Sequence, residues 1–245
     1  MAVILIIGAT RGLGASLTKK YAEKSENTVY GTARSPEGPK DSPSGVKWLS
    51  DIDLMQSNAG QKLASLLDPA QPIDSVSMFH EAEKQGKIIT AGYFATEDLT
   101  LDKGPKWEEE QRMYTTSSIA PVFIVHQLIH KGLLRKGSKV VLVSSESGSI
   151  TLRHAKEGGG NYAHHASKAA LNMIGKLLSL DLKDQGVIVS IVHPGFMRTE
   201  MTRGVGFDKF WDDGGDEAAA SLINWIDSLD ISKTGEYWAP RGPRE

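Results

Sequence analysis

The sequence predicts an α/β fold in which helices flank a doubly wound parallel sheet. Two features predict it: short apolar runs alternate along the chain with segments of helical periodicity, and the first run ends in a glycine-rich turn. Strands that alternate with helices form βαβ units, whose right-handed crossovers build a helix-covered parallel sheet. No linker separates two patterned halves, so we expect residues 1–245 to form a single domain.

Three strands and one helix are predicted before residue 50. Residues 3–7 form a continuous apolar run rich in β-branched side chains, which is typical of a strand buried on both faces. The helix that follows, residues 13–24, has apolar residues at helical spacing. Residues 28–32 and 46–49 are the second and third strands.

Two segments compete for the fourth strand. Residues 73–78 follow a turn-like Pro-Ala-Gln-Pro, whereas residues 87–90 lead into Ala91 and Gly92. We favour residues 87–90, because residues 77–85 also have the pattern of a helix end.

The second half of the chain continues the alternation. A long helix is expected over residues 107–131, although its acidic start at 108–110 reads as a solvated face. Strands are expected at 139–144 and 187–192, with a helix between them at 161–184. A last strand is expected at 236–239.

Residues 195–216 show no clear period, and loops of that length are usually functional. We expect a lid over an apolar or aromatic substrate, because the segment carries large apolar side chains. These are Phe196, Met197, Phe207, Phe210 and Trp211.

Composition limits the classes of partner. With 28 Lys plus Arg against 30 Asp plus Glu, the formal net charge of -2 gives no reason to expect nucleic acid or an anionic membrane. There are no cysteines, which excludes disulfides and thiolate metal sites and fits a cytoplasmic protein. The histidines lack metal-ligand spacing, so we expect a small-molecule substrate and no metal.

The turn after the first strand has the spacing G-x-x-x-G-x-G and leads into a helix, as a phosphate-binding turn does. Glycines let the backbone approach a pyrophosphate closely, and free N–H groups at the helix start bind the anion. The alternative is a purely structural strand-to-helix turn. The candidate cofactor-binding residues here are Gly8, Thr10, Arg11, Gly12, Leu13 and Gly14.

Charge near the end of the second strand indicates which dinucleotide binds. Arg34 stands where a basic residue suits a ribose 2′-phosphate, and Arg11 adds a second cation. We therefore expect NADP(H) in preference to NAD(H), the alternative being two solvated arginines. Asp51 could reach the adenine edge, or it could cap a helix or lie on the surface.

Further segments accompany the glycine turn in a specific order. They are Ala91-Gly92, Ser145 at a strand end, Lys168 in a helix, and HPGFMRT at residues 193–199. Together they resemble the short-chain dehydrogenase/reductase superfamily, and GEYWAPRGP at residues 235–243 looks like its C-factor-like carbonyl reductase branch.

The resemblance implies a Rossmann-type fold, a nicotinamide cofactor and hydride transfer at a carbonyl or alcohol carbon. It implies that Ser145 polarises the substrate oxygen, and that Lys168 holds the ribose and lowers the pKa of the proton donor. It also extends the cofactor site to Ala91, Gly92, Pro194, Gly195 and Thr199.

Two positions depart from the family pattern: the helix asparagine falls near Ser117, and the tyrosine four residues before Lys168 is His164. Residues four apart share a helix face, so His164 points to the same site as Lys168, and His165 is turned away by about 100°. Tyr162, six residues before Lys168, could serve as the proton donor only if it precedes the first helical turn.

Histidine can be a general acid, but a neighbouring ammonium lowers its pKa further below neutrality. Reduction through His164 is therefore expected to be slow or favoured by mild acid. The alternative is that His164 lines the site without a proton role.

The leading function is an NADP(H)-dependent reductase acting on the C=O or C=N group of an apolar small molecule. A non-redox isomerase or cyclase on the same fold, and a regulatory or scaffold protein that binds NADP(H), are the alternatives. The wide apolar face of helix 107–131 and the small residues of helix 161–184 favour a homodimer or homotetramer.

Overall fold

The computed structural model describes residues 2–78, 97–99, 104–155, 158–195 and 215–239. Strands and helices alternate as the sequence predicts. The strands are β1 (Val3–Ile7), β2 (Thr28–Thr32), β3 (Val46–Leu49), β4 (Ser75–Met78), β5 (Lys139–Val143), β6 (Ile188–Val192) and β7 (Tyr237–Trp238). The helices are α1 (Gly12–Ala22), α2 (Ala59–Ser65), α3 (Trp107–Tyr114), α4 (Ala120–His130), α5 (Tyr162–Leu182) and α6 (Gly215–Ser228).

The seven strands of the described chain form one parallel sheet in the order β3-β2-β1-β4-β5-β6-β7. The chain first builds outward from β1 to β3, then returns to place β4 on the other side of β1. Such a reversal opens a crevice at the carboxyl ends of the two strands, where α/β sheets bind their ligands. The predicted doubly wound, Rossmann-type sheet is confirmed.

The preferred position of the fourth strand is wrong. Ser75–Met78 fills this place, pairing with β1 through Ile4↔Ser75 and with β5 through Ser75↔Lys139. Ser75 and Ser77 interrupt the apolar run of this strand, yet both are buried because a small hydroxyl fits a central strand. Residues 87–90, with Ala91 and Gly92, lie outside the described residues.

Helices cover both faces of the sheet. On one face α2, α4 and α5 contribute Leu63, Ile124 and Leu171 to the core. On the other face α1 and α6 contribute Leu17 and Leu222. Within the described ranges, no helix combines the length and apolarity needed to cross a membrane.

The predicted helix over 107–131 is divided. A π-helical turn at Thr115–Ile119 separates α3 from α4. Its Ser118 hydroxyl donates a 2.8 Å hydrogen bond to the carbonyl oxygen of Ser167 on α5. The extra residue of the π turn therefore lies where α4 approaches the helix that carries Lys168.

Candidate active site

The glycine turn joins β1 to α1 through unusually close backbone contacts. Gly8 and Gly12 have φ angles of 86° and 51°, which favour glycine. A Cβ on Gly14 would overlap the carbonyl oxygen of Gly8. The Gly8 N–H donates a 3.0 Å hydrogen bond to Thr32 Oγ1 at the end of β2, so the turn is held beside the crevice.

The start of α1 suits an anion. Arg11 occupies the N-cap in an extended conformation, and an arginine side chain cannot accept a hydrogen bond from the helix. The N-cap side chain makes no capping hydrogen bond, and helix starts of this kind bind phosphate in other proteins. Thr10 and Arg11 are half-buried there, whereas Leu13 is buried in the core below.

The loops after β2 and β3 run side by side at the carboxyl ends of these strands. The Ile52 N–H donates to the Ala33 carbonyl oxygen at 3.0 Å, so the half-buried Arg34 lies beside the loop that carries Asp51. The Asp51 carboxylate lies 3.7 Å from Lys62 Nζ at an exposed position. An exposed pair of this kind constrains Asp51 only weakly.

Lys168 is buried at the carboxyl end of β5. Its Nζ donates a 2.9 Å hydrogen bond to the carbonyl oxygen of Val143, the last residue of that strand. Burial lowers the pKa of Lys168 to about 7, because the ammonium loses its water shell. At neutral pH this lysine can therefore both hold and release a proton.

Ser145 lies two residues after the end of β5 and is the N-cap of a single 3-10 turn, Glu146–Gly148. Its Oγ accepts a 3.1 Å hydrogen bond from the Ser147 N–H, which leaves the O–H group able to donate to a substrate oxygen. Ser145 is half-buried, so part of the residue is accessible to a ligand.

Two residues that sequence reasoning missed fix this turn to α5. The Ser144 hydroxyl donates to Asn172 Oδ1 at 2.5 Å. Gly148 lies so close to α5 that a Cβ there would be 2.7 Å from the Lys168 carbonyl carbon and from the Ala169 nitrogen. Asn172 could have been suspected, because it lies four residues after Lys168 on the same helix face.

His164 lies one helical turn before Lys168 and is half-buried. Burial, followed by the charges of Lys168 and His165, lowers its pKa to about 3. The rings of His164 and His165 meet edge to face with centroids 5.6 Å apart. His165 Nδ1 lies 2.7 Å from the Asn161 carbonyl oxygen. His164 is thus a neutral imidazole at physiological pH.

Tyr162 is the first residue of α5, which is regular from that point. Six residues at about 100° each turn its side chain about 120° from that of Lys168. The ring is 40% exposed, and a Cβ on Gly159 would lie 3.7 Å from its hydroxyl. The geometry therefore favours His164 over Tyr162 as the group near Lys168, and both assignments stay predictions.

Ser117 lies buried in the middle of the π turn between α3 and α4. Such turns are frequent at functional sites because they displace one residue from the regular helix surface. No pattern in the sequence indicates this turn, although the family resemblance puts the asparagine of the long helix near Ser117.

The end of β6 carries the predicted nicotinamide segment. Pro194 is buried, and Gly195 is half-buried with a φ of 90°. The preceding His193 has its Nε2 3.8 Å from Glu146 Oε1, which links this segment to the Ser145 turn. Thr199 and the five large apolar side chains expected in the lid lie outside the described residues.

The acidic residues near α5 correct another expectation. Glu108 on α3 is exposed as predicted, but Glu110 is half-buried. A hydrogen bond to the Glu97 carboxyl, followed by burial and the charge of Glu97, raises the pKa of Glu110 to about 7. Sequence alone could not pair these residues, because Glu97 lies in a loop without periodicity.

Comparison with known proteins identifies the family of this chain. A family model described as short chain dehydrogenase matches residues 2–209. The chain belongs to the short-chain dehydrogenase family. It is an oxidoreductase of that family. Among the described residues, no group of three or more His, Cys, Asp or Glu could hold a metal ion.

Similar proteins share this fold over nearly the whole chain. The 1-hydroxy-2-glutathionyl-2-methyl-3-butene dehydrogenase of Rhodococcus sp. (strain AD45) is 26% identical over 239 residues, covering 97% of this chain and 96% of the relative. The NADPH-bound carbonyl reductase from chicken fatty liver superimposes with a TM-score of 0.80 at 17% identity, covering 100% and 94% of the two chains. The carbonyl reductase Sniffer of D. melanogaster gives a TM-score of 0.79 at 22% identity, covering 99% and 98%.

Replacing Lys168 by methionine should stabilise this short-chain dehydrogenase in the absence of cofactor. The fall of the Lys168 pKa from 10.5 to about 7 corresponds to a burial cost on the order of 5 kcal/mol. The unfolded chain binds this proton more tightly, so the cost is complete below pH about 7 and fades as pH rises towards 10.5.

Urea unfolding at pH 6.5 and pH 9 should therefore show a gain in unfolding free energy for Lys168→Met that is larger at the lower pH. Lys176→Met, at an exposed position on the same helix, should change little at either pH. A gain of the same size at both pH values would contradict the shifted pKa.

Proposed function

We propose that this short-chain dehydrogenase uses NADP(H) to reduce a carbonyl group, or the related C=N group, of an apolar small molecule. The observation that carries the proposal is the grouping of Lys168, Ser145 and His164 at the carboxyl end of β5. Lys168 Nζ is bound to the strand end, and the Ser145 turn packs on the helix of Lys168.

The glycine turn fits a dinucleotide, because the missing Cβ of Gly14 leaves room for a backbone loop next to the α1 terminus. Gly8, Gly12 and the α1 N–H groups would hold the pyrophosphate, and Arg34 would hold a 2′-phosphate. Lys168 and Gly195 would hold the nicotinamide end. When bound, the cofactor supplies the hydride.

The proton reaches the substrate oxygen through the chain's own side chains. Ser145 donates a hydrogen bond to that oxygen. A neutral His164 can give its ring N–H proton to the oxygen and accept the proton of Lys168 on its other nitrogen. We infer that Lys168 is the proton source and His164 the relay, because the pKa of Lys168 is about 7 and that of His164 about 3.

The apolar substrate class is supported by the surface next to Ser145. Ile150 and Leu152 lie just after the 3-10 turn and are 90% and 53% exposed. Apolar side chains at the mouth of a site contribute to binding when a ligand covers them. In the residues that the structure describes, no feature favours the isomerase, cyclase or scaffold alternatives.

The cofactor choice can be tested by titration. We expect NADPH to bind more tightly than NADH, and Arg34→Ala to weaken NADPH binding about tenfold while leaving NADH almost unchanged. Fluorescence titration measures both constants. Arg135→Ala is the matched control, since Arg135 pairs with Asp74 at the amino ends of β4 and β5, away from the crevice at the carboxyl ends. Equal loss of affinity for both cofactors would refute a 2′-phosphate contact.

The proton relay can be tested at His164. Reduction of a panel of aromatic and aliphatic ketones should slow as pH rises through about 7, where Lys168 loses its proton. His164→Tyr should keep or raise kcat and extend activity to higher pH, because a phenol, whose ordinary pKa is about 10, still carries its own proton after Lys168 has lost its proton. His164→Phe, which lacks only the hydroxyl of that variant, should lose at least about tenfold in kcat. Wild-type kcat in the phenylalanine variant would exclude a proton role.

We propose further that two copies associate through α4 and α5. Both helices lie on one face of the sheet and expose apolar side chains at helical spacing. Exposed faces of this kind commonly mark interfaces between subunits. The exposed residues are Ile119 at the end of the π turn, Val122 and Phe123 on α4, and Met173, Leu177 and Leu180 on α5.

Sedimentation should therefore give a dimer or tetramer at micromolar concentration. Phe123→Glu combined with Leu177→Glu should shift it to the monomer, because two charges would be buried in the contact. Ile231→Glu, at an exposed position beyond α6, should leave the mass unchanged. A monomeric wild type would refute the interface.

A further inference from the structure

Helix α5 is capped by a residue from a distant segment. Its N-cap, Asn161, has a left-handed φ of 50° and makes no capping hydrogen bond with its own side chain. Instead the Ala163 N–H donates to Glu97 Oε2 at 3.2 Å, across 66 residues of sequence. The carboxylate thus satisfies one of the first N–H groups of the helix and lies at its positive end.

Glu97 also holds the backbone that leads into the helix. The Asn161 N–H donates to the Glu97 carbonyl oxygen at 3.2 Å, and the Glu97 N–H donates to Asn161 Oδ1 at 3.1 Å. A Cβ on Gly160 would lie 2.6 Å from the same carbonyl oxygen. These contacts fix the three residues before and within the first turn, and His164 follows Ala163 directly.

The carboxyl group of Glu97 also lies beside that of Glu110. Glu97 is 5% exposed, and its Oε1 is buried with no hydrogen-bond donor among the described residues unless Glu110 carries a proton. The hydrogen bond between the two carboxyls and the rise of the Glu110 pKa to about 7 fit one proton held between them. Nearby, burial and the charges of Glu110 and Glu97 raise the pKa of Tyr114 on α3.

We propose that Glu97, held by a proton shared with Glu110, is a positioning residue that fixes the start of α5 and thereby sets His164 against the substrate. The link to turnover rests on the proposed reductase function. The link to helix geometry does not, since it follows from the contacts of Glu97 with Asn161 and Ala163. Tyr114 from α3 is a titratable neighbour of the pair, and on α5 His165 Nδ1 lies 2.7 Å from the carbonyl oxygen of Asn161, whose side chain Glu97 contacts.

The test compares Glu97→Ala with Glu97→Gln in the full chain. The glutamine can still accept from Ala163 and can donate to Glu110, so it should keep wild-type behaviour. The alanine should expose the Ala163 amide to faster hydrogen exchange and lower kcat about tenfold to a hundredfold, with NADPH affinity within about twofold of wild type. Glu108→Ala, at an exposed position on the same helix α3 as Glu110, is the matched control and should change neither.

Glu110→Gln tests the shared proton, because its amide is a permanent donor to Glu97. In the wild type, protection of the Ala163 amide should fall between pH 6 and pH 8.5 relative to this variant. If Glu97→Ala does not fold, Glu97→Asp withdraws the carboxylate by one methylene and should give a smaller change in the same direction.

Outcomes separate this inference from the proposed function. Faster exchange in Glu97→Ala with unchanged kcat, or loss of kcat equally in the alanine and glutamine variants, would overturn the positioning role. Unchanged exchange would overturn the cap itself. If no carbonyl is reduced by the wild type, the proposed function fails, while the exchange measurements still decide whether Glu97 holds the helix.

Discussion

The hydrogen bond from the Lys168 ammonium to the Val143 carbonyl oxygen is the contact on which the site depends. Val143 ends β5, which is paired on both sides by β4 and β6. The pairing of the sheet therefore fixes the position of its carbonyl oxygen. The hydrogen bond from Lys168 to that oxygen in turn positions α5 against the end of β5. Because Ser145 lies only two residues after Val143, the end of the strand also sets the distance between Ser145 and Lys168.

The same burial lowers the pKa of both titratable side chains on this face of α5. Low polarity around the site disfavours charge on both Lys168 and His164, but their ordinary pKa values differ by several units. The pKa of Lys168 therefore lies near neutrality, and that of His164 lies well below it. In the tyrosine-containing family pattern the lysine tunes the acid. Here burial brings the pKa of the lysine itself close to neutrality, and in the proposed mechanism His164 is the neutral relay.

The sequence predicted those parts that depend on local pattern. The run of β1 and its glycine turn are contiguous, so strand, turn and helix could each be recognised. The fourth strand was misplaced, because Ser75 and Ser77 are made acceptable only by neighbouring strands. The π turn around Ser117 and the cap from Glu97 arise from tertiary contacts with α5. Ser145 and Lys168 were placed by the family resemblance, since no spacing rule connects a strand end to a helix residue so far along the chain.

The framework explains why residue 164 can differ from the family pattern while its neighbours are constrained. Gly148 and Asn172 hold the Ser145 turn against α5 from the C-terminal side of Lys168. Contacts with Glu97 hold the helix start from the other side. Position 164 lies between these two anchors, so its backbone is fixed from both directions. A change of side chain there alters the proposed proton transfer without first disturbing the strand end, the serine turn or the buried ammonium.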